Sequence, residues 1–237
     1  MFSTASIQAA HNNQRNGAFF SVDAQAIIAL CTPQGSGAIA LIRISGSNAV
    51  AIADSMARLS SGTTLEASAS HTIHHGYVVD SEGKRIDEVL FLLMRAPKTF
   101  TGQDCVEITS HNNPFVIEAI INRAIACGAR AAGAGEFTKR AFLNGKLDLL
   151  QAEALNDFIH ASTEEALQRS MAQLQGSFSK RCAEIEIELV QLLGYIEASF
   201  EFLDEEQRDF DFASAVKNRT YSLLERIQSI KLQFAQQ

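Results

Sequence analysis

Three charged side chains stand where charge is out of place. Arg43 interrupts the apolar run 38–44, Glu107 lies inside the short run 104–109, and Lys146 follows the turn pair Asn144-Gly145 between two helical stretches. A charge within a mainly apolar strand needs a partner or a ligand, because an unpaired charge is costly to take out of water. Two readings are open. In one, Arg43 and Glu107 form a salt bridge or occupy an exposed strand face. In the other, the three line a polar pocket for an anionic, heteroaromatic ligand, with Arg and Lys taking carboxylates and Glu accepting hydrogen bonds from ring N–H groups.

Other chemistry finds little support. The sequence has no G-x-x-x-x-G-K-[ST] phosphate loop, no G-x-S-x-G and no H-E-x-x-H. No residue is assigned a catalytic role. His71, His74 and His75 cluster on a predicted strand, but alternation puts His74 and His75 on opposite faces, which disfavours a shared metal. Cys31, Cys105, Cys127 and Cys182 are scattered without a C-x-x-C pair, so they read as small buried thiols in a reducing, cytoplasmic setting. No metal site is expected.

The elements that must carry these residues are of two kinds. Residues 24–31 and 38–44 read as strands, joined by the turn-rich Thr32-Pro33-Gln34-Gly35-Ser36-Gly37. Ser47 is placed to cap a helix over 48–59. A Ser-rich loop, 60–70, precedes a hairpin of 71–79 and 87–94. A strand over 104–109 follows, then a helix over 114–127 that stops at Gly128. From Glu136 the pattern is helical. Ser162 with Glu165 reads as a capping box, and Leu167, Met171, Leu174, Phe178, Cys182, Ile185, Leu189, Leu192, Ile196 and Phe200 make one apolar stripe. A single helix along it would be on the order of 50 Å. A second stripe, Val216, Thr220, Leu223, Ile227, Ile230 and Phe234, should pack antiparallel on the first. The acidic turn 204–211 reads as carboxylates at a helix start more readily than as a metal site.

The bulk properties agree with a non-membrane globular chain. Its 237 residues are 46% hydrophobic and 20% charged, with three prolines. No apolar run approaches the roughly 20 residues of a membrane span. Residues 1–22, rich in Asn and Gln, read as a flexible extension and not as a signal peptide. The net charge is −7; residues 1–145 hold 11 Lys/Arg and 11 Asp/Glu, and residues 146–237 hold 9 and 16, so the excess lies in the second part. That balance disfavours a broad electrostatic grip on nucleic acid. The expected organisation is α+β: an extension at 1–22, a mixed α/β domain at 23–145, and a partial long-helix domain at 146–237. The two stripes leave apolar surface over, which points to an incomplete bundle; a compact three-helix bundle is the alternative.

One run carries more than its spacing. Gly135-Glu136-Phe137-Thr138-Lys139-Arg140-Ala141-Phe142-Leu143-Asn144-Gly145-Lys146-Leu147-Asp148-Leu149, then Gln151-Ala152-Glu153-Ala154, resembles the signature of the MnmE (TrmE) tRNA modification GTPases. Thr32-Pro33 with Gly35 and Gly37, Ile42-Arg43-Ile44-Ser45-Gly46, Phe100-Thr101-Gly102-Gln103-Asp104 with Glu107 and His111, Ala161-Ser162-Thr163-Glu164 and Leu174-Gln175-Gly176-Ser177-Phe178-Ser179 match the same family in unbroken order. The resemblance implies a first domain similar to the tetrahydrofolate-binding domain of aminomethyltransferases. That domain would bind 5-formyltetrahydrofolate at a homodimer interface, followed by a helical domain interrupted by a Ras-like G domain. It implies work with an MnmG-type partner that uses a flavin and NADH, adding an aminomethyl-type group to the wobble uridine of tRNA. The family's folate-contacting arginine, glutamate and lysine fall on Arg43, Glu107 and Lys146. Its GTP, Mg²⁺ and K⁺ sites belong to the G domain, which these residues do not contain, so no GTP hydrolysis is expected of them alone. Two segments depart from the pattern: H-G-G reads His111-Asn112-Asn113, placing side chains where flexible glycines are usual, and P-G-E-F reads Ala134-Gly135-Glu136-Phe137. A dimerising or docking scaffold that ignores folate is the alternative.

Overall fold

The computed structural model describes residues 25–201 and 212–235. The expected extension at 1–22 and the acidic turn at 204–211 lie outside those residues.

The chain divides into two compact units, Met1–Ala152 and Glu153–Gln237. The first is built on a seven-stranded sheet in the order β3-β4-β5-β6-β2-β1-β7. The strands are β1 (Ile27–Leu30), β2 (Ile39–Ser45), β3 (Ala57–Leu59), β4 (Thr72–Val79), β5 (Arg85–Met94), β6 (Cys105–His111) and β7 (Arg130–Ala131). Neighbours run antiparallel except β7, which pairs parallel with β1. Helices α1 (Ala49–Met56) and α2 (Pro114–Ala126) bury Val50, Ile52, Met56, Ile120 and Ala124 in one core with Ile28, Ile42, Ile44, Phe91, Val106 and Ile108. Alternation along each strand then sends the intervening residues to the opposite face. Across that face runs one row of directly opposed residues: Ala29 on β1, Arg43 on β2, Glu107 on β6, Leu92 on β5 and Ile73 on β4.

Local chemistry sets the element ends. Asn113 caps α2 by accepting the Phe115 N–H, with Pro114 in the first turn. Gly128 (φ 108°) closes that helix, the Ala129 N–H reaching back to the Ala124 carbonyl. The expected helix over 48–59 is shorter. Asn48, not Ser47, stands at its N-cap, and residues 57–59 leave it to pair with β4 as the edge strand β3. Gly76 on β4 permits that pairing: a Cβ there would sit 2.5 Å from the Arg58 carbonyl oxygen. The two-residue strand β7 has no alternation to announce it.

The helical part differs from the expected single rod. After α3 (Glu136–Leu143) and α4 (Leu149–His160), the long apolar stripe is divided between α5 (Glu164–Leu174) and α6 (Ser177–Glu201). The break lies at Gly176, whose φ of 79° is left-handed, so the stripe continues across a joint that periodicity alone does not register. The cap of α5 is Thr163, accepting the Ala166 N–H, in place of Ser162 with Glu165. A reciprocal box does occur at α4, where the Asp148 carboxylate accepts the Gln151 N–H and the Gln151 amide oxygen accepts the Asp148 N–H. Helix α7 (Phe212–Ala235) packs antiparallel on α6, with Arg226 paired to Glu184 and Glu188 and Arg219 over the Tyr195 ring. Ile187, Leu189, Val190 and Leu193 on α6, and Leu224, Ile227 and Leu232 on α7, remain exposed.

Candidate functional site and family

Arg43 and Glu107 meet across the β2–β6 ladder. They are opposed in register; the Arg43 Nε donates to Glu107 Oε1 at 2.8 Å, and Nη2 forms an ion-pair contact with the same oxygen at 2.7 Å. Both side chains are partly covered, at 19% and 14% exposure. That depth strengthens the pair relative to a surface bridge. Glu107 Oε2 and Arg43 Nη1 take no part in it. The guanidinium also lies between two rings, its Cζ 5.2 Å from the centroid of Phe100 and 5.3 Å from that of Phe137. The salt-bridge reading of these residues is therefore realised, inside an aromatic clasp that the spacing did not reveal.

The rings come from two segments. Phe100 belongs to loop 97–104, which borders the Ser45 end of β2. Beneath it Thr101 is buried, its hydroxyl 2.7 Å from that of buried Ser45. Cys105, buried at the same end, has its thiol pushed up to about 12 by loss of solvent. Of the other cysteines, Cys127 is half-buried and Cys31 and Cys182 are exposed, so the expectation of four buried thiols holds only for Cys105.

Phe137 belongs to α3, and the segment 136–146 holds loop 97–104 at three points. Arg140 Nη1 donates to Gln103 Oε1 at 3.0 Å, Asn144 Nδ2 to the Thr101 carbonyl at 2.6 Å, and Lys146 Nζ to the Pro97 carbonyl at 3.1 Å. Gly145 (φ 67°) ends α3 with the Lys146 N–H bonded to the Ala141 carbonyl, the turn that delivers Lys146 to the loop. Lys146 thus shares the loop with the Arg43–Glu107 pair, although the pair itself does not bond to it. Gly102 (φ 76°) lies against Asn144 and Lys146 where a Cβ would come within 3.0 Å.

Glu136 anchors the segment. Its carboxylate accepts from both Nη atoms of Arg130, from the Gly133 N–H, and from Arg140. The Arg130 hydrogen bonds are the main reason its pKa is drawn down to about 2. Spacing could have found Arg140, four residues after Glu136 on one helix face; nothing in the sequence announces Gln103 as its other partner.

The two asparagines at the H-G-G departure are accommodated without strain. Neither adopts a positive φ. Asn112 Nδ2 donates to the Gly35 carbonyl, fastening loop 32–38, and Asn113 caps α2.

Elsewhere on the same sheet face, a shallow cleft of about 230 Å³ is lined by Ile39, His75, Glu88, Leu90, Thr109 and His111. His75 bonds Glu88 and Ser60, whereas His74 bonds Thr72. His111 is tied to Asp87, which raises its affinity for a proton. Among the described residues no three His, Cys, Asp or Glu side chains are grouped to hold a metal, and no helix is long and apolar enough to cross a membrane.

Comparison with known proteins agrees with this layout. Residues 26–146 match the family described as the GTP-binding protein TrmE N-terminus, and residues 149–237 match the MnmE helical domain. A tRNA modification GTPase MnmE of Bacillus velezensis is 44% identical over 177 residues, covering 74% of this chain and 39% of the relative. The protein of that name from Flavobacterium johnsoniae is 41% identical over 209 residues, covering 88% and 44%. The one from Chlamydia pneumoniae is 45% identical over 183 residues, covering 77% and 40%. The chain spans about two fifths of the length of these relatives. An α+β unit and a helical unit, each matching its counterpart in order, show that the chain belongs to the MnmE (TrmE) family of tRNA modification GTPases and carries its N-terminal and helical parts.

Proposed function

We propose that the first unit binds 5-formyltetrahydrofolate and pairs with a second copy of itself, as the front portion of a protein that modifies the wobble uridine of tRNA. In that reading the α+β unit is similar to the tetrahydrofolate-binding domain of aminomethyltransferases. It holds a one-carbon donor for chemistry completed elsewhere, with an MnmG-type partner that uses a flavin and NADH. The supporting observation is the Arg43–Glu107 pair clasped by Phe100 and Phe137. Apolar walls beside a small number of placed charges are what a flat ring system with acidic tails requires. Glu107 Oε2 is left to accept from ring N–H groups, and Arg43 Nη1 and Lys146 to meet carboxylates. Ile39, Ile73 and Leu90, exposed at 62%, 66% and 42% on the same sheet face, supply apolar surface for a second copy.

Calorimetric titration with 5-formyltetrahydrofolate tests the ligand. Binding is expected, and Arg43→Ala, Glu107→Ala and Lys146→Ala should each weaken it by about 1–3 kcal/mol. Absence of heat from the wild-type chain, beside clear binding by an intact relative, would sink the reading.

A scaffold that only dimerises and docks is the second reading. It is favoured by the closed state of the polar groups: Arg43 is already paired with Glu107, and Lys146 already bonds a carbonyl. Sedimentation with and without the folate separates the two, since a scaffold dimer would not respond to it.

A further inference from the structure

We propose that Arg140 is a positioning residue for the folate pocket, setting the separation of the two rings that clasp Arg43; the pocket part of this rests on the function proposed above. Among the described residues Arg140 is the one buried charged side chain, at 2% exposure. Filling that volume with an apolar side chain would serve packing at least as well, so the charge invites a reason. Its fork is divided. Nε and Nη2 donate to Glu136 Oε1 at 3.3 and 3.1 Å, while Nη1 donates to Gln103 Oε1 at 3.0 Å. The guanidinium shares the Glu136 carboxylate with Arg130, while its bond to the neutral Gln103 side chain supplies direction. Each arm leads to one ring: Gln103 lies three residues after Phe100 in loop 97–104, and Phe137 follows Glu136 on α3. A planar guanidinium with fixed donor directions therefore ties the two segments whose rings sit 5.2 and 5.3 Å from the Arg43 Cζ. The Asn144–Thr101 and Lys146–Pro97 bonds fasten the loop farther along, whereas the Arg140–Gln103 bond joins it to the first turns of α3, which carry Phe137.

The decisive readout is the Arg43 side-chain Nε–Hε resonance in ¹H–¹⁵N spectra of the unliganded full chain. That proton is bonded to Glu107, and its signal is identified by its disappearance in Arg43→Lys. Ring currents from Phe100 and Phe137 should displace it, and Phe137→Leu should remove part of the displacement. Gln103→Ala cuts one arm and leaves the Arg140–Glu136 pair in place; Arg140→Lys keeps the charge but loses the fork. Both are expected to move or broaden the Arg43 signal while the backbone amide spectrum stays dispersed. Both should also weaken 5-formyltetrahydrofolate by at least about fivefold, the lower range for coupling between sites. Gln103→Glu, which restores an acceptor for Nη1, should retain signal and affinity. An unmoved Arg43 resonance in Gln103→Ala would overturn the proposal, as would a lowered unfolding temperature in both variants with resonance and affinity unchanged. If the wild-type chain binds no folate, the pocket reading fails, and the resonance still decides whether Arg140 positions the rings.

Discussion

Glu136 shows how one carboxylate can be committed entirely to geometry. Hydrogen bonds from Arg130, the Gly133 N–H and Arg140 hold it ionised down to about pH 2, well below its usual 4.5. A depressed carboxylate contributes stability that is fully present above its unfolded value and is lost as pH falls through the folded one. Wild type should therefore exceed Glu136→Gln in stability at neutral pH, and the gap should close between pH 4.5 and 2. Denaturant midpoints measured across that range check it; a gap independent of pH would contradict the assignment. His111, raised by its bond to Asp87, has the opposite sign, with a contribution present at low pH and lost as pH rises through its folded value. At this scale Arg43 and Glu107 were legible because charge inside an apolar strand is anomalous, and the register places them side by side. The rest of the cluster was not. Phe100, Phe137 and Gln103 are ordinary residues in ordinary segments, and only folding across intervals of dozens of residues brings them to Arg43 and Arg140.

Strands and helices were read well where one period persists and poorly where a local backbone choice interrupts it. The paired strands β1 and β2, the β4–β5 hairpin and β6 follow from apolar runs bounded by turn residues. The edge strand β3 did not, because Ala57, Arg58 and Leu59 extend the helical pattern of α1 and only the neighbouring strand claims them. Gly76 is the residue that admits this neighbour. Gly76→Ala should drive a methyl into the Arg58 carbonyl and the Leu59 backbone, and the strain expected of an overpacked site is about 1–3 kcal/mol. Thermal unfolding is the measurement, and amide exchange should quicken first in residues 57–59. The division of the apolar stripe at Gly176 has the same moral. An i, i+3, i+4 pattern specifies which face is apolar, and a single left-handed residue can turn the helix without disturbing that face.

At the scale of the molecule, the exposed apolar residues Ile39, Ile73 and Leu90 and the folate proposal make a joint claim on solution behaviour. Ile73, exposed and opposed to Leu92 in the row that holds Arg43 and Glu107, is a suitable place to test self-association. Ile73→Lys should shift the sedimenting species from dimer to monomer without lowering the unfolding temperature; an unchanged dimer would move the interface elsewhere. Bulk composition had little to say here, since balanced charge in the first part and an acidic second part exclude partners better than they name them. The three-point hold of segment 136–146 on loop 97–104 also has a temporal meaning. A chain emerging from the ribosome presents all seven strands by residue 131, yet Phe137, Arg140, Asn144 and Lys146 arrive only afterwards. Every residue of the sheet is thus synthesised before those that close the clasp around Arg43, an order that lets the architecture form before the site does.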